Sequence, residues 1–138
     1  MSSSIVYQAE PELKAADFQK LLISSTLGER RPVRDLRRLE KMLLHADLIL
    51  TARIEGELIG IARSISDQSY CTYLSDLAVH VDFQKQGIGK KLVKLTKEAF
   101  PLANLILLSA PKAVDYYPKI GMKKHAHCFL SVPEDPIY

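Results

Sequence analysis

Leu77-Ala78-Val79-His80-Val81-Asp82-Phe83-Gln84-Lys85-Gln86-Gly87-Ile88-Gly89-Lys90-Lys91 is the stretch on which the reading of this chain turns. It closes an alternating run, Tyr70 to Val81, that predicts a strand with Leu77, Val79 and Val81 on one side. From Gln86 the apolar period changes to about 3.6, and Ile88, Leu92, Leu95, Ala99 and Phe100 make one stripe of a helix that Pro101 stops. Two glycines thus occupy a strand-turn-helix corner. The first turn of any helix carries unpaired N–H groups and a partial positive charge, and the missing side chains at Gly87 and Gly89 let a diphosphate touch that backbone. Lys85, Lys90 and Lys91 add mobile positive charge. A Gly-x-Gly pair also serves close helix-strand crossings, and the corner alone leaves both uses open. The dinucleotide motif lacks its third glycine and acidic partner here, and Gly89-Lys90-Lys91 offers no hydroxyl for the magnesium of a nucleoside triphosphate.

Upstream, Ile5 to Ala9 reads as a first strand, and Pro11 opens a helix to about Ser25 with Leu13, Phe18, Leu21 and Leu22 on one face. A second helix follows Pro32, with Val33, Leu36, Leu39, Met42 and Leu43 as its apolar stripe. Leu48 to Ile54 and Leu58 to Ile65 are β-rich runs joined at Glu55-Gly56, which suits a tight hairpin. Downstream, Leu105 to Leu108 reads as a buried parallel strand, Pro111 starts a short helix that ends before Gly121, and Met122 to Val132 gives a last strand. The order β-α-α-β-β-β-α-β-α-β combines a hairpin-built half with a βαβ half, so the sheet is expected to be mixed and covered by helices on both faces.

The chain's 138 residues and 47% hydrophobic content suit a single domain over 1–138 with a filled core. A formal charge of +3 favours anionic ligands mildly and does not call for nucleic acid. No apolar run approaches the roughly 20 residues that span a bilayer, and Met1-Ser2-Ser3-Ser4 is not the start of a secretory signal, so a cytoplasmic, membrane-free protein is expected. Cys71 and Cys128 lack the paired spacing of a zinc site and read as reduced, semi-buried side chains. His125 and His127 share a face of the last predicted strand without a third ligand, so no metal is expected.

Leu77-Ala78-Val79, followed five positions after Val79 by Gln84-x-x-Gly87-x-Gly89, resembles the acyl-CoA signature of the GNAT superfamily of N-acetyltransferases. Ala113-Val114-Asp115-Tyr116-Tyr117-Pro118-Lys119-Ile120-Gly121-Met122 is similar to that family's Ala-Ile-x-x-Tyr-x-Lys-x-Gly-Phe segment, with Met122 in place of Phe. With the element order, the resemblance covers nearly the whole chain. It implies an α-β-α sandwich on a central mixed, partly splayed sheet of six to seven strands with about four helices.

The resemblance further implies that the strand bearing Leu77, Ala78 and Val79 parts from its neighbour near Leu105 and that the pantetheine arm of acetyl-CoA enters the gap. Backbone N–H groups of Gln84, Lys85, Gln86, Gly87, Ile88, Gly89 and Lys90 would hold the pyrophosphate, and an amide near Leu77 to Val79 would face the thioester oxygen. Tyr117 matches the tyrosine that protonates, or hydrogen-bonds to, the departing thiolate; Tyr116 points about 100° away on a helix and cannot share that sulfur. Asp76, mid-strand beside the splay, is the candidate base for the amine, with anchoring of a neighbouring loop or helix end as the equal alternative. His80 is a candidate proton relay or, near the strand end, equally an exposed side chain, and Tyr73 stands where histone-directed relatives carry a glutamate. Arg30, Arg31 and Arg34 would suit an anionic acceptor or form a solvated loop. The expected activity is acetyl transfer from acetyl-CoA directly to an amine of a small molecule or peptide. The alternatives are a toxin or regulator acting on aminoacyl-tRNA or a protein, and a non-catalytic acyl-CoA-binding module. Similar proteins commonly form homodimers, although no feature of this sequence demonstrates one.

Overall fold

The computed structural model describes residues 4–138, which divide into a larger unit ending at Leu108 and a smaller one, Ser109–Tyr138. The larger unit holds one five-stranded mixed sheet in sequential order: β1 (Ile5–Ala9), β2 (Leu48–Ile54), β3 (Glu57–Ser66), β4 (Cys71–Val79) and β5 (Asn104–Leu107). The first three pairings are antiparallel and β4–β5 is parallel. Glu55 and Gly56 both have positive φ, 49° and 81°, in the two-residue turn between β2 and β3. Such a turn matches the right-handed twist of paired strands, as a tight hairpin requires.

Helices cover both faces of the sheet. On one, α1 (Ala15–Ser24) and α2 (Leu36–Leu44) bury Phe18, Leu21, Leu22, Leu39 and Leu43 against Ile49, Ile61 and Ala78. On the other, α3 (Ile88–Ala99) buries Ile88, Leu92, Val93 and Thr96. A Cβ on Gly60 would come within 3.1 Å of Leu92 and 3.2 Å of Ile88, so a glycine in β3 lets α3 lie close. Each fully buried aliphatic or aromatic side chain contributes roughly 1.5–3 kcal/mol to folding.

Several boundaries differ from expectation. Helix α1 begins at Ala15 rather than at Pro11, with Leu13 held by a turn onto the Glu10 carbonyl. Helix α2 begins at Leu36, because Asp35 caps it by accepting the Arg38 N–H at 3.1 Å. Val81 leaves β4 for a 3-10 turn, Val81–Phe83, so it does not share a strand face with Leu77 and Val79. In α3, Val93 and Thr96 are buried while Ala99 is exposed. Strand β5 is parallel as expected but not buried: Ile106 is 47% exposed within its strand. Cys71 and Cys128 are free and exposed rather than semi-buried.

The smaller unit contains a 3-10 turn at Pro111–Ala113 and the short helix α4 (Tyr116–Lys119), which ends before Gly121 at φ +101°. The expected strand from Met122 to Val132 is absent, and the sheet has five strands among the described residues rather than six or seven. Lys123, Lys124, His125 and His127 break the apolar alternation of that stretch, and the His127 N–H turns back onto His125 Nδ1 at 3.0 Å.

Candidate functional site

The parallel register of β4 with β5 runs from Cys71↔Asn104 to Leu74↔Leu107 and stops there, while β4 continues to Val79. The register with β3 also shifts at this point, from Arg63↔Asp76 to Ser64↔Leu74, which leaves Ser75 as the extra residue of a β-bulge. Beyond the bulge the direction of each peptide group follows from the ladder. The His80 N–H donates to the Ile59 carbonyl at 2.8 Å, making that a pair whose main-chain groups face each other across to β3. In an antiparallel ladder such pairs alternate, so the N–H and C=O of Leu77 and Val79 point away from β3, toward the side where β5 has ended. Among the described residues, the second half of β4 therefore presents main-chain groups with no neighbouring strand on that side.

The turn that follows begins where this edge ends. Gln84 Nε2 donates to the Val79 carbonyl at 2.9 Å, so the Gln84 side chain braces the turn against the strand. Lys85 and Gly87 have positive φ, 63° and 84°, and Gly87 occupies the N-cap of α3. Among the described residues no side chain caps this helix, and its ladder starts with Lys91 N–H to the Gly87 carbonyl at 3.0 Å. The amides of Ile88, Gly89 and Lys90 precede the ladder and keep their positive end uncompensated. A Cβ on Gly87 would meet nothing within 4 Å, and one on Gly89 only Val79 Cγ2 at 3.8 Å. The close helix-strand approach is thus made by Gly60, and Gly87 and Gly89 face open space. Lys85, Lys90 and Lys91 are exposed around them, with Lys91 Nζ 6.0 Å from the Tyr7 ring centre. An uncapped helix start, no side chain in the way and three cations fit the pyrophosphate of an acyl-CoA, and the neighbouring strand edge fits its amide-bearing arm.

Asp76 sits in the middle of β4 with no exposed surface. Arg31 Nε donates to its Oδ1 at 2.5 Å and Arg63 Nε donates to its Oδ2. Arg31 reaches it from the connection between α1 and α2, and Arg63 from β3. Arg63 also donates to the Met42 carbonyl and the Ser75 hydroxyl, each at 3.1 Å. Both carboxylate oxygens are thereby committed to guanidinium groups. Arg31 and Arg63 were not legible as partners, because the bulge that sets Asp76 opposite Arg63 breaks simple strand counting. His80 lies just past β4, where its Nδ1 accepts the Asp82 N–H at 3.1 Å.

In the smaller unit, Tyr117 is half-buried on α4, and its ring meets that of Tyr116 edge-on at 5.3 Å between centres. Burial raises the Tyr116 phenol above its ordinary pKa. Among the described residues no group of three or more His, Cys, Asp or Glu is placed to hold a metal ion, and no helix is long and apolar enough to cross a membrane.

The acetyltransferase (GNAT) domain model matches residues 28–129 of the chain. A relative from Gracilaria tenuistipitata var. liui, named uncharacterized N-acetyltransferase ycf52, is 33% identical over 109 residues, 76% of this chain and 59% of that protein. Its namesake from Porphyra purpurea is 28% identical over 99 residues, 66% of this chain and 56% of that protein. The chain spans a little over half the length of these curated relatives. Among solved structures, a GNAT-family acetyltransferase from Streptococcus pneumoniae TIGR4 superposes with a TM-score of 0.80 at 22% identity, covering 96% of this chain and all of that one. The aminoglycoside N-acetyltransferase AAC(6')-Iy, solved in complex with CoA, superposes with a TM-score of 0.75 at 15% identity over 98% of both chains. At these identities the likeness to solved structures is one of fold.

Proposed function

The chain belongs to the GNAT family of acetyltransferases, and from that premise we propose that it transfers an acetyl group from acetyl-CoA directly to an amine of a small molecule or peptide. One observation carries this reading: a helix start without a side-chain cap, fronted by two glycines with open space before them, adjoins the half of β4 that has lost its parallel partner.

Each part then has a task. The amides of Gln84 to Lys90 and the lysines of that turn hold the pyrophosphate. The outward N–H and C=O groups of Leu77, and the outward N–H of Val79, pair with the pantetheine amides and face the thioester oxygen, where a fixed N–H is worth most as negative charge develops. Ala78 faces the α1/α2 core and keeps the strand in place. Tyr117 supplies the proton, or a hydrogen bond, to the leaving thiolate. For Asp76 the geometry favours the anchoring alternative: a carboxylate with both oxygens on guanidinium groups is poorly arranged to accept a proton from an amine. Its task is to hold the α1–α2 connection to the bulge, and the amine loses its proton through solvent.

The test is Gly89→Glu. The position is not in the left-handed region and has room for a Cβ, so the variant is expected to fold, with circular dichroism and urea midpoint close to those of the parent. Placing a negative charge at the helix start should abolish acetyl-CoA binding in calorimetry. Normal binding by the folded variant would show that the pyrophosphate is held elsewhere.

A further inference from the structure

The connection between α1 and α2 delivers the Arg31 guanidinium to the point where β4 loses β5. Besides its bond to Asp76, Nη2 donates to the Ser75 carbonyl at 2.7 Å and Nη1 to the Arg30 carbonyl at 2.8 Å. Ser75 is the bulged residue, and its carbonyl lies in the same alternation as the outward-facing groups of Leu77 and Val79. Arg31 is therefore fixed at the mouth of the gap instead of trailing in solvent. A guanidinium has five N–H bonds, and three of Arg31's have acceptors among the described residues.

The charge around it is unbalanced. Arg31 and Arg63 share the single carboxylate of Asp76, and no other acidic group among the described residues lies within 4.0 Å of either guanidinium. Side-chain exposure is 22% for Arg31 and 6% for Arg63, so the surplus positive charge is largely withdrawn from water. A withdrawn, uncompensated cation is costly, and an anion with planar or tetrahedral oxygens is the partner that offsets it through paired hydrogen bonds. Ser75 stands two residues from Leu77, about 7 Å along a strand, a distance that a small molecule bearing both an amine and an anionic group can bridge.

On the basis of the transferase reading above, we propose that Arg31 recognises an anionic group, carboxylate or phosphate, carried by the amine acceptor. Arg31 is then a specificity residue that positions the amine opposite the thioester, with Asp76 and the Ser75 and Arg30 carbonyls holding its guanidinium in place. The net arrangement selects amino-acid-like or phosphorylated amines over plain amines of the same size.

Two measurements on the whole chain test this. In the first, the side-chain Nε–H resonance of Arg31, assigned by its loss in Arg31→Lys, is followed by NMR without any acyl-CoA. Acetate and inorganic phosphate are added in separate titrations at constant ionic strength. A saturable shift with one or both is expected and tells carboxylate from phosphate recognition; no shift with either overturns the proposal, whatever the protein's activity. In the second, CoA release is measured with glycine against glycinamide, L-lysine against cadaverine, and phosphoethanolamine against ethanolamine, for the parent and for Arg31→Gln. The glutamine leaves Asp76 paired with Arg63, and its amide nitrogen, at the place of the arginine Nε, can still donate to Asp76 while the Nη donors are lost. The kcat/KM ratio of charged to uncharged acceptor should fall about 10- to 100-fold in the variant, the range for a hydrogen bond to a charged group. Equal use of both members of each pair by the parent overturns the anion site and leaves the transferase reading standing. A saturable shift with no CoA release from any acceptor supports the anion site and counts against the transferase reading.

Discussion

At the residue scale, three glycines and two adjacent tyrosines show how differently the same residue type can be used. Gly60 is a packing residue, closed in by Leu92, Ile88 and Ala52, whereas Gly87 and Gly89 have almost nothing in front of them. Tyr116 and Tyr117 meet edge to face on one turn, and their offset of about 100° around the helix sends the two phenols in different directions. If Tyr117 is the acid proposed above, Tyr117→Phe should lower kcat about 10- to 1,000-fold while acetyl-CoA affinity by calorimetry changes little. Unchanged turnover, in an assay where acetyl transfer limits the rate, would remove Tyr117 from the mechanism. Tyr117 is singled out by its place in the Tyr-x-Lys-x-Gly segment. The jobs of the glycines were not legible in the sequence, because a Gly-x-Gly corner reads alike whether it admits a ligand or a strand.

At the scale of elements, two ionic links tie parts of the larger unit together. Glu10, just after β1, receives Arg53 Nε at 2.8 Å and Nη2 at 2.9 Å, and the Thr51 hydroxyl also donates to it. The Arg53 bonds are the main cause of a Glu10 pKa lowered from 4.5 to about 2, against partial burial acting the other way. Because the folded pKa lies below the unfolded one, the stabilisation is complete above about 4.5 and is lost as the pH falls toward 2. Urea unfolding of Glu10→Gln should accordingly show a shallower loss of stability than the parent across that window. Asp67, whose carboxylate accepts the N–H groups of Tyr70, Ser69 and Cys71 and is also lowered to about 2, acts in the same window in both proteins, so the difference between the two isolates Glu10. The second link is buried. Asp76→Asn would leave two guanidinium groups facing each other without their shared carboxylate, and should cost about 3–5 kcal/mol in urea unfolding at pH 7. A loss below about 1 kcal/mol would mean that Asp76 does not anchor the α1–α2 connection.

For the whole molecule, the charge surplus is small, +3 in 138 residues, but its local distribution bears on the ligand capture proposed at the α3 start. Lys85, Lys90 and Lys91 are solvent-exposed and have no acidic partner within 4.0 Å among the described residues. Their attraction for a diphosphate is open to screening, whose length falls from about 10 Å at 0.1 M salt to about 3 Å at 1 M. The Kd for acetyl-CoA should therefore rise several-fold between those salt concentrations, with kcat at saturation changing little. A Kd independent of salt would place the phosphates away from these lysines.

Read alone, the amino-acid sequence sufficed for the order of elements from β1 to α4, the helices on both faces of the larger unit's sheet, the hairpin at Glu55-Gly56 and the glycine corner at the start of α3. These are local matters, set by period, turn chemistry and the spacing of a few side chains, and the family resemblance rested on the same short-range patterns. The tertiary structure decided the rest. Counting along β4 could not show that Ser75 is an extra residue, or that the bulge it forms sets Asp76 opposite Arg63 and turns the following amides outward. Nor could counting show that Arg31 crosses from a connection 45 positions away to close the ion cluster, or that Met122 to Val132 makes no strand. Register and long-range ion pairing depend on which segments meet in space, and one residue more or less in a strand reverses the direction of every group beyond it.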